Sequence, residues 1–363
     1  MADTLVDPVE PVPPTQRDPE PAPAAAPAPE AEAPKRSSKR VLVIAGVAMC
    51  VLGVAVAAVL WTLVFRYEPT ALAHVPAGSN VVVRIESADI VLFGPVRNHL
   101  LPALLENRPK EPALNKVSVP DRIYERTGVR LPLDLREVLV ATMDGKSVVG
   151  LFGGKIARGK FVEGLAEVAK EENWGLRLDK ELLIGSNVVI AQADDGTIVV
   201  GTDRAIVMNA LPATEEGTKL GLPNQGAIRF VVAKQAWENL ATFGHLIPEA
   251  SSFGGVRRGT GSFTLGSSPE LVLRLDAVEG TELGTIEKGM GAVLANLRLL
   301  TMLAPDRMGE KEALRQAVVS RDGAQVVVRA PWSYEAMDRG AAALAARIRS
   351  KEGSDALPTA PSP

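Results

Sequence analysis

The stretch that comes nearest to a catalytic or cofactor motif is Gly154-Lys155-Ile156-Ala157-Arg158-Gly159-Lys160-Phe161. It departs from a phosphate-binding P-loop at its last position, where Phe161 replaces the Ser or Thr that would hold Mg²⁺. The strand before it reads as one arm of a hairpin, whereas a P-loop follows a parallel strand. The glycines therefore read as a turn, and Lys155, Arg158 and Lys160 as a solvated basic patch with room for an anion. The histidines are His74, His99 and His245, and no pair has metal-ligand spacing or sits in a His-Glu-x-x-His motif. There is no G-x-S-x-G elbow, and Ser262, Ser267 and Ser268 sit in or beside a turn with no base signalled. Asp144, Asp194, Asp195 and Asp322 stand at hairpin tips, where turn chemistry accounts for them. No catalytic residue, metal ligand or cofactor is assigned from these patterns.

The element that organises the chain is the run over 41–65, which carries no charge and no proline. At 1.5 Å per residue its helix would reach roughly 37 Å, enough to cross a hydrocarbon core of about 30 Å with some tilt. Lys35, Arg36, Lys39 and Arg40 precede it and only Arg66 follows closely, which places the N-terminus in the cytoplasm and the body outside. Trp61 and Tyr67 suit the outer interface. Gly46, Cys50, Gly53 and Ala57 share one helical face, a small-residue surface on which two spans can meet in a homodimer. Cys50 is the sole cysteine, and it reads as a small apolar side chain in the bilayer; Met49 spoils a lipobox. Ala71-Leu72-Ala73 has the shape of a signal-peptidase site, but the apolar run before it is too long for a cleavable signal. Residues 1–40 form a Pro-, Ala- and Glu-rich tail whose composition predicts disorder, as it does for 351–363.

The body follows at 66–350. Its acidic and basic residues balance and aromatics are few, which argues against a nucleic-acid surface. The pattern predicts an α+β fold in two similar copies, 66–222 and 223–350. Each copy has antiparallel hairpins forming a sheet of its own, with helices on one sheet face. Asp-Gly pairs between apolar runs mark the hairpins, as at 194–196 and 322–323. In the second copy Ile286, Met290, Val293, Leu297 and Leu300 are spaced for the buried face of a long helix. Residues 106–130 read as a Pro-containing loop, and 254–261, with Arg257 and Arg258, as a mobile one.

The order of parts, with Val75-Pro76-Ala77-Gly78 before a strand and the hairpin Ala-Asp-Asp-Gly-Thr-Ile-Val-Val-Gly-Thr-Asp-Arg-Ala at 193–205, resembles uncharacterised membrane-anchored exported proteins of high-GC, myxobacteria-like bacteria. That resemblance implies an inner-membrane anchor with the body in the periplasm or beyond. It brings no catalytic residues. Two functions follow as expectations. The first is a non-enzymatic envelope protein whose body binds a protein, lipid or cell-wall ligand. The second is a hydrolase whose site assembles only in three dimensions. A histidine meeting two acids in a deep pocket favours the hydrolase, and a broad apolar groove favours binding.

Overall fold

Ile198-Val199-Val200 and Val326-Val327-Val328 are apolar at successive positions, and a strand with that pattern needs cover on both faces. The computed structural model provides it. It describes residues 69–106, 118–143, 145–242, 248–303 and 305–351. The chain divides into two units, Met1–Arg66 and Tyr67–Pro363, and every described residue belongs to the second. The span over 41–65, its face of Gly46, Cys50, Gly53 and Ala57, the tail over 1–40, His245 and Asp144 all lie outside the described residues. Among the described residues no helix is long and apolar enough to cross a membrane.

The body is mixed α+β and is built on one antiparallel sheet of twelve strands. The strands are β1 Val81–Glu86, β2 Leu135–Thr142, β3 Val148–Gly154, β4 Arg177–Asp179, β5 Leu182–Ile184, β6 Val189–Gln192 and β7 Ile198–Gly201, then β8 Ile228–Ala233, β9 Val256–Thr264, β10 Glu270–Ala277, β11 Val318–Asp322 and β12 Gln325–Pro331. Their order across the sheet is β11-β12-β10-β9-β8-β1-β2-β3-β7-β6-β5-β4. The expectation of a separate sheet for each half is thereby corrected. β1 and β8 pair antiparallel with Val83 opposite Phe230, so the division at 222/223 falls within a single sheet. Two strands that are each apolar on both alternations leave no free edge between them once paired.

The helices are α1 Ser87–Leu92, α2 Leu101–Glu106, α3 Val119–Thr127, α4 Phe161–Glu171, α5 Arg204–Ala210, α6 Glu216–Lys219, α7 Lys234–Ala241, α8 Leu283–Leu303, α9 Glu310–Gln316 and α10 Tyr334–Lys351. They do not keep to one face of the sheet, which corrects the second expectation. Ile198 of β7 and its neighbour Val200 pack with Phe161, Val162 and Leu165 of α4, while Val199 between them packs with Ile206 and Val207 of α5. The loop expected over 106–130 contains α3. Its signals are Ser118, whose hydroxyl accepts the Asp121 N–H, Pro120 in the first turn, and Gly128 in the left-handed conformation after the last. The mobile loop expected over 254–261 is instead largely strand β9. Val256 is fully buried, and Arg258 pairs with the buried Asp276 at 2.9 Å. Its glycines are there for close approach: a Cβ on Gly259 would meet the Trp237 ring at 2.5 Å, and one on Gly261 would fall on the Phe230 ring.

The seam between the halves carries charge. Arg84 of β1 lies directly opposite Arg229 of β8. Glu86 pairs with both, and Glu137 of β2, fully buried, lies 3.0 Å from the Arg84 guanidinium. Two arginines and two glutamates leave the cluster neutral, which buried charge requires. Burial and then the facing Arg84 hold Arg229 below the usual arginine range. The second oxygen of Glu137 accepts the N–H of Ala71 at 2.9 Å, which fastens the start of the body to the sheet.

Candidate functional site

The second half holds a cavity of about 720 Å³ between the sheet and α8. Its floor is two adjacent cross-strand pairs, Leu271 opposite Ala330 and Leu273 opposite Val328. Its roof is the face of α8 carrying Met290, Val293, Leu294, Leu297 and Leu300. The turn Pro248–Gly255 and α7 supply one wall through Phe253 and Trp237, whose rings are 5.6 Å apart. The other wall is Ala313 and Leu314 of α9, with Trp332 after β12.

Asn296 is an exposed polar side chain at the edge of this space, while those of the two tryptophans and Glu310 are satisfied by backbone groups. The Trp237 indole donates to the Val232 carbonyl at 3.1 Å, and Trp332 to that of Met308 at 2.7 Å. Both rings therefore offer only their apolar surface inward. Glu310 sits at the rim, and its oxygens accept the N–H groups of Met308 at 2.6 Å and Arg307 at 3.1 Å. Burial pushes the Glu310 carboxyl up, but these backbone donors outweigh it and hold the group below the ordinary carboxylate range. Arg298 reaches from α8 to the carbonyls of Leu314 and Ala317, both at 2.8 Å, and so fixes the α9 wall to the roof. Small side chains at Ala250, Ala313 and Ala330 leave the volume open between larger neighbours.

A space of this size is within the range of about 300–1,000 Å³ that takes a drug-sized or larger apolar ligand. At about 24 cal/mol per Å³ a sealed void of this volume would exceed a domain's whole stability of about 5–15 kcal/mol. The cavity is not sealed. Leu240, Leu297 and Leu300 of its lining are exposed, so its resting state is wet apolar surface that an apolar ligand would relieve.

The residues singled out in the sequence lie elsewhere. Lys155, Arg158 and Lys160 are exposed in the connection from β3 to α4. Arg158 shares a hollow of about 370 Å³ with Lys180, Glu163, Glu181 and Asp194, so its surroundings are of mixed sign. The Phe161 N–H at the start of α4, which a P-loop would aim at phosphate, donates to Gln192 Oε1 at 3.2 Å. His74 is buried; its Nδ1 donates to the Ala210 carbonyl at 2.8 Å, and its Nε2 lies 2.9 Å from Asp195. His99 lies 3.1 Å from Asp338. Each of these two histidines meets one acid and neither lines the cavity; among the described residues no cluster could hold a metal. The cavity residues were legible only in part. The buried face expected of α8 holds at Ile286 and Met290 but not at Leu297 and Leu300, which are exposed at the open cavity, and no pattern along the chain points to α9 or the two tryptophans.

No family model matches the chain, and no curated protein does. Solved structures similar to it include crystal forms III, I and IV of TP0453. The TM-scores are 0.41, 0.38 and 0.37, with identities of 11%, 12% and 11%. The matches cover 77%, 77% and 78% of this chain and 100%, 98% and 97% of those chains. A likeness at that level carries no functional argument.

Proposed function

We propose that this chain is a non-enzymatic, single-pass protein of the bacterial inner membrane, with its N-terminus in the cytoplasm, whose body outside holds the acyl chain of a lipid in the cavity under α8. The observation that carries the reading is an open cavity lined mostly by aliphatic and aromatic carbon, with Glu310 and the Trp332 indole already paired and Asn296 at its exposed edge. A cell-wall glycan would need unpaired hydrogen-bonding groups along its length, whereas an acyl chain needs none. Each methylene moved from water into such a site gains about 0.8 kcal/mol. The anchor is retained in this reading, because the Ala71-Leu72-Ala73 triplet belongs to the folded body. Ala71 is fully buried with its N–H on Glu137, and the Ala73 carbonyl accepts the N–H of Thr214 at 2.6 Å. We also infer that the body is two copies of one unit: outward from the central pair, β1-β2-β3-β7-β6 and β8-β9-β10-β12-β11 run in the same order, with β4–β5 an addition to the first.

The test uses the full chain in nanodiscs with Trp61→Phe and Trp174→Phe, which leaves only the cavity tryptophans Trp237 and Trp332. A dibrominated octadecanoate should quench their emission. Ala330→Phe, which fills the floor, should remove the quenching while the circular dichroism is unchanged; Ala313→Leu does the same from the wall should the first variant fold poorly. Equal quenching in filled and unfilled chains, or none in either, overturns the proposal.

A further inference from the structure

A ligand seated in the cavity has to keep its head group at the open side, because the floor and walls are carbon. Leu240, Leu297 and Leu300 are exposed at that side, and Asn296 stands at the same edge. Asn296 follows Val293 by three residues and precedes Leu300 by four, so it belongs to the row of side chains that roofs the cavity. Among the described residues it has no hydrogen-bond partner. Asparagine is among the poorer helix formers, so α8 gains nothing from it at this position. The charge around the opening is one-sided. Of the described lining residues none is Lys, Arg or His, and Glu310 is the one acid. Arg298, Lys311 and Arg315, on α8 and α9, are each engaged elsewhere. Arg298 is held on the carbonyls of Leu314 and Ala317, Lys311 Nζ on that of Met302 at 3.1 Å, and Arg315 on Glu312.

We propose that Asn296 is the head-group contact of this cavity, and that the ligand is an acyl lipid whose head is uncharged and bears a hydroxyl or an amide. The inference rests on the acyl-binding reading and names the class of ligand. An anionic head at the opening would meet the like charge of Glu310 with no lining cation to offset it. A cationic head would compete for oxygens that already accept the N–H groups of Met308 and Arg307 in the turn before α9. The Asn296 carboxamide carries no charge and both donates and accepts, which a hydroxyl or amide head can answer with both kinds of bond. A fatty-acid anion still enters by its chain, with its carboxylate left in water, and is the poorer ligand.

The experiment uses the same full chain in nanodiscs, with Trp61→Phe and Trp174→Phe, and ligands that share one dibrominated eighteen-carbon chain. Their heads are a glycerol ester, a sulfate and a trimethylammonium, and a fourth ligand is the brominated hydrocarbon with no head. Quenching in the Ala330→Phe chain is subtracted as partition into the bilayer. The glycerol ester should have the lowest half-quenching concentration of the three headed ligands. Asn296→Leu should raise it roughly two- to tenfold, the worth of one hydrogen bond, and should not raise that of the hydrocarbon. Asn296→Gln, which keeps the carboxamide, should recover part of the loss, and Asn296→Lys should move the preference to the sulfate. A sulfate or trimethylammonium ligand that binds the unmodified cavity as tightly as the ester overturns the proposal while the acyl-binding reading stands. So does an Asn296→Leu chain that binds the ester unchanged. Absence of quenching by all four ligands overturns the acyl-binding reading and this inference with it.

Discussion

Replacing Glu137 by Gln tests whether the charged seam holds the two halves of the sheet together. Glu137 is fully buried, lies 3.0 Å from Arg84, and takes the Ala71 N–H at 2.9 Å. Glutamine keeps an acceptor for Ala71, removes the charge and turns an amide NH2 toward Arg84. Arg84 and Arg229, directly opposite one another, would then share the single carboxylate of Glu86. Breaking a buried pair by removing one partner costs about 3–5 kcal/mol, because the remaining charge is left uncompensated in a poorly polarisable interior. For a body of this size that corresponds to a fall in Tm on the order of 10 °C. The measurement is thermal unfolding of the full chain in nanodiscs, followed by near-ultraviolet circular dichroism. Arg84→Met together with Glu137→Gln should recover most of the loss, since the glutamine still accepts the Ala71 N–H and the remaining Arg229 and Glu86 still pair. A Glu137→Gln protein within about 0.5 kcal/mol of the unmodified one would refute the reasoning, as would a double variant no better than the single.

Gly259→Ala should destabilise the body by about 1–3 kcal/mol, because the new methyl meets the Trp237 ring at 2.5 Å. The same substitution should shift Trp237 emission and weaken quenching by the brominated fatty acid, since that ring is a wall of the cavity. Acid should act through Asp195. Burial raises its carboxyl, but the Thr197 N–H and His74 outweigh that and the net shift is downward. The stability this contributes is present above the ordinary aspartate value and is lost as pH falls through the lower folded one. Denaturant midpoints of Asp195→Asn should therefore fall less steeply below about pH 4 than those of the unmodified chain, and identical slopes would rule the contribution out.

The sequence by itself determined most of the local structure, because local structure is set by neighbours along the chain. Alternation and Asp-Gly turns placed the hairpins β6–β7 and β11–β12, and 3.6-residue spacing placed α8. Where local signals were present but outweighed by prolines, as with Ser118 and Gly128 around α3, the helix went unread. Tertiary structure alone decided what lies opposite what. Nothing local says that β1 seeks β8, that Arg84 meets Arg229, or that Arg257-Arg258-Gly259 joins a strand because a tryptophan needs the space a side chain would fill. The same limit applies to the cavity. Periodicity identified Met290, Val293, Leu297 and Leu300 as one face, but a face reads the same whether a neighbour fills it or stands off from it. Which of the two occurs depends on the volumes of Ala250, Ala313 and Ala330, brought from three distant places in the chain to the same few ångströms.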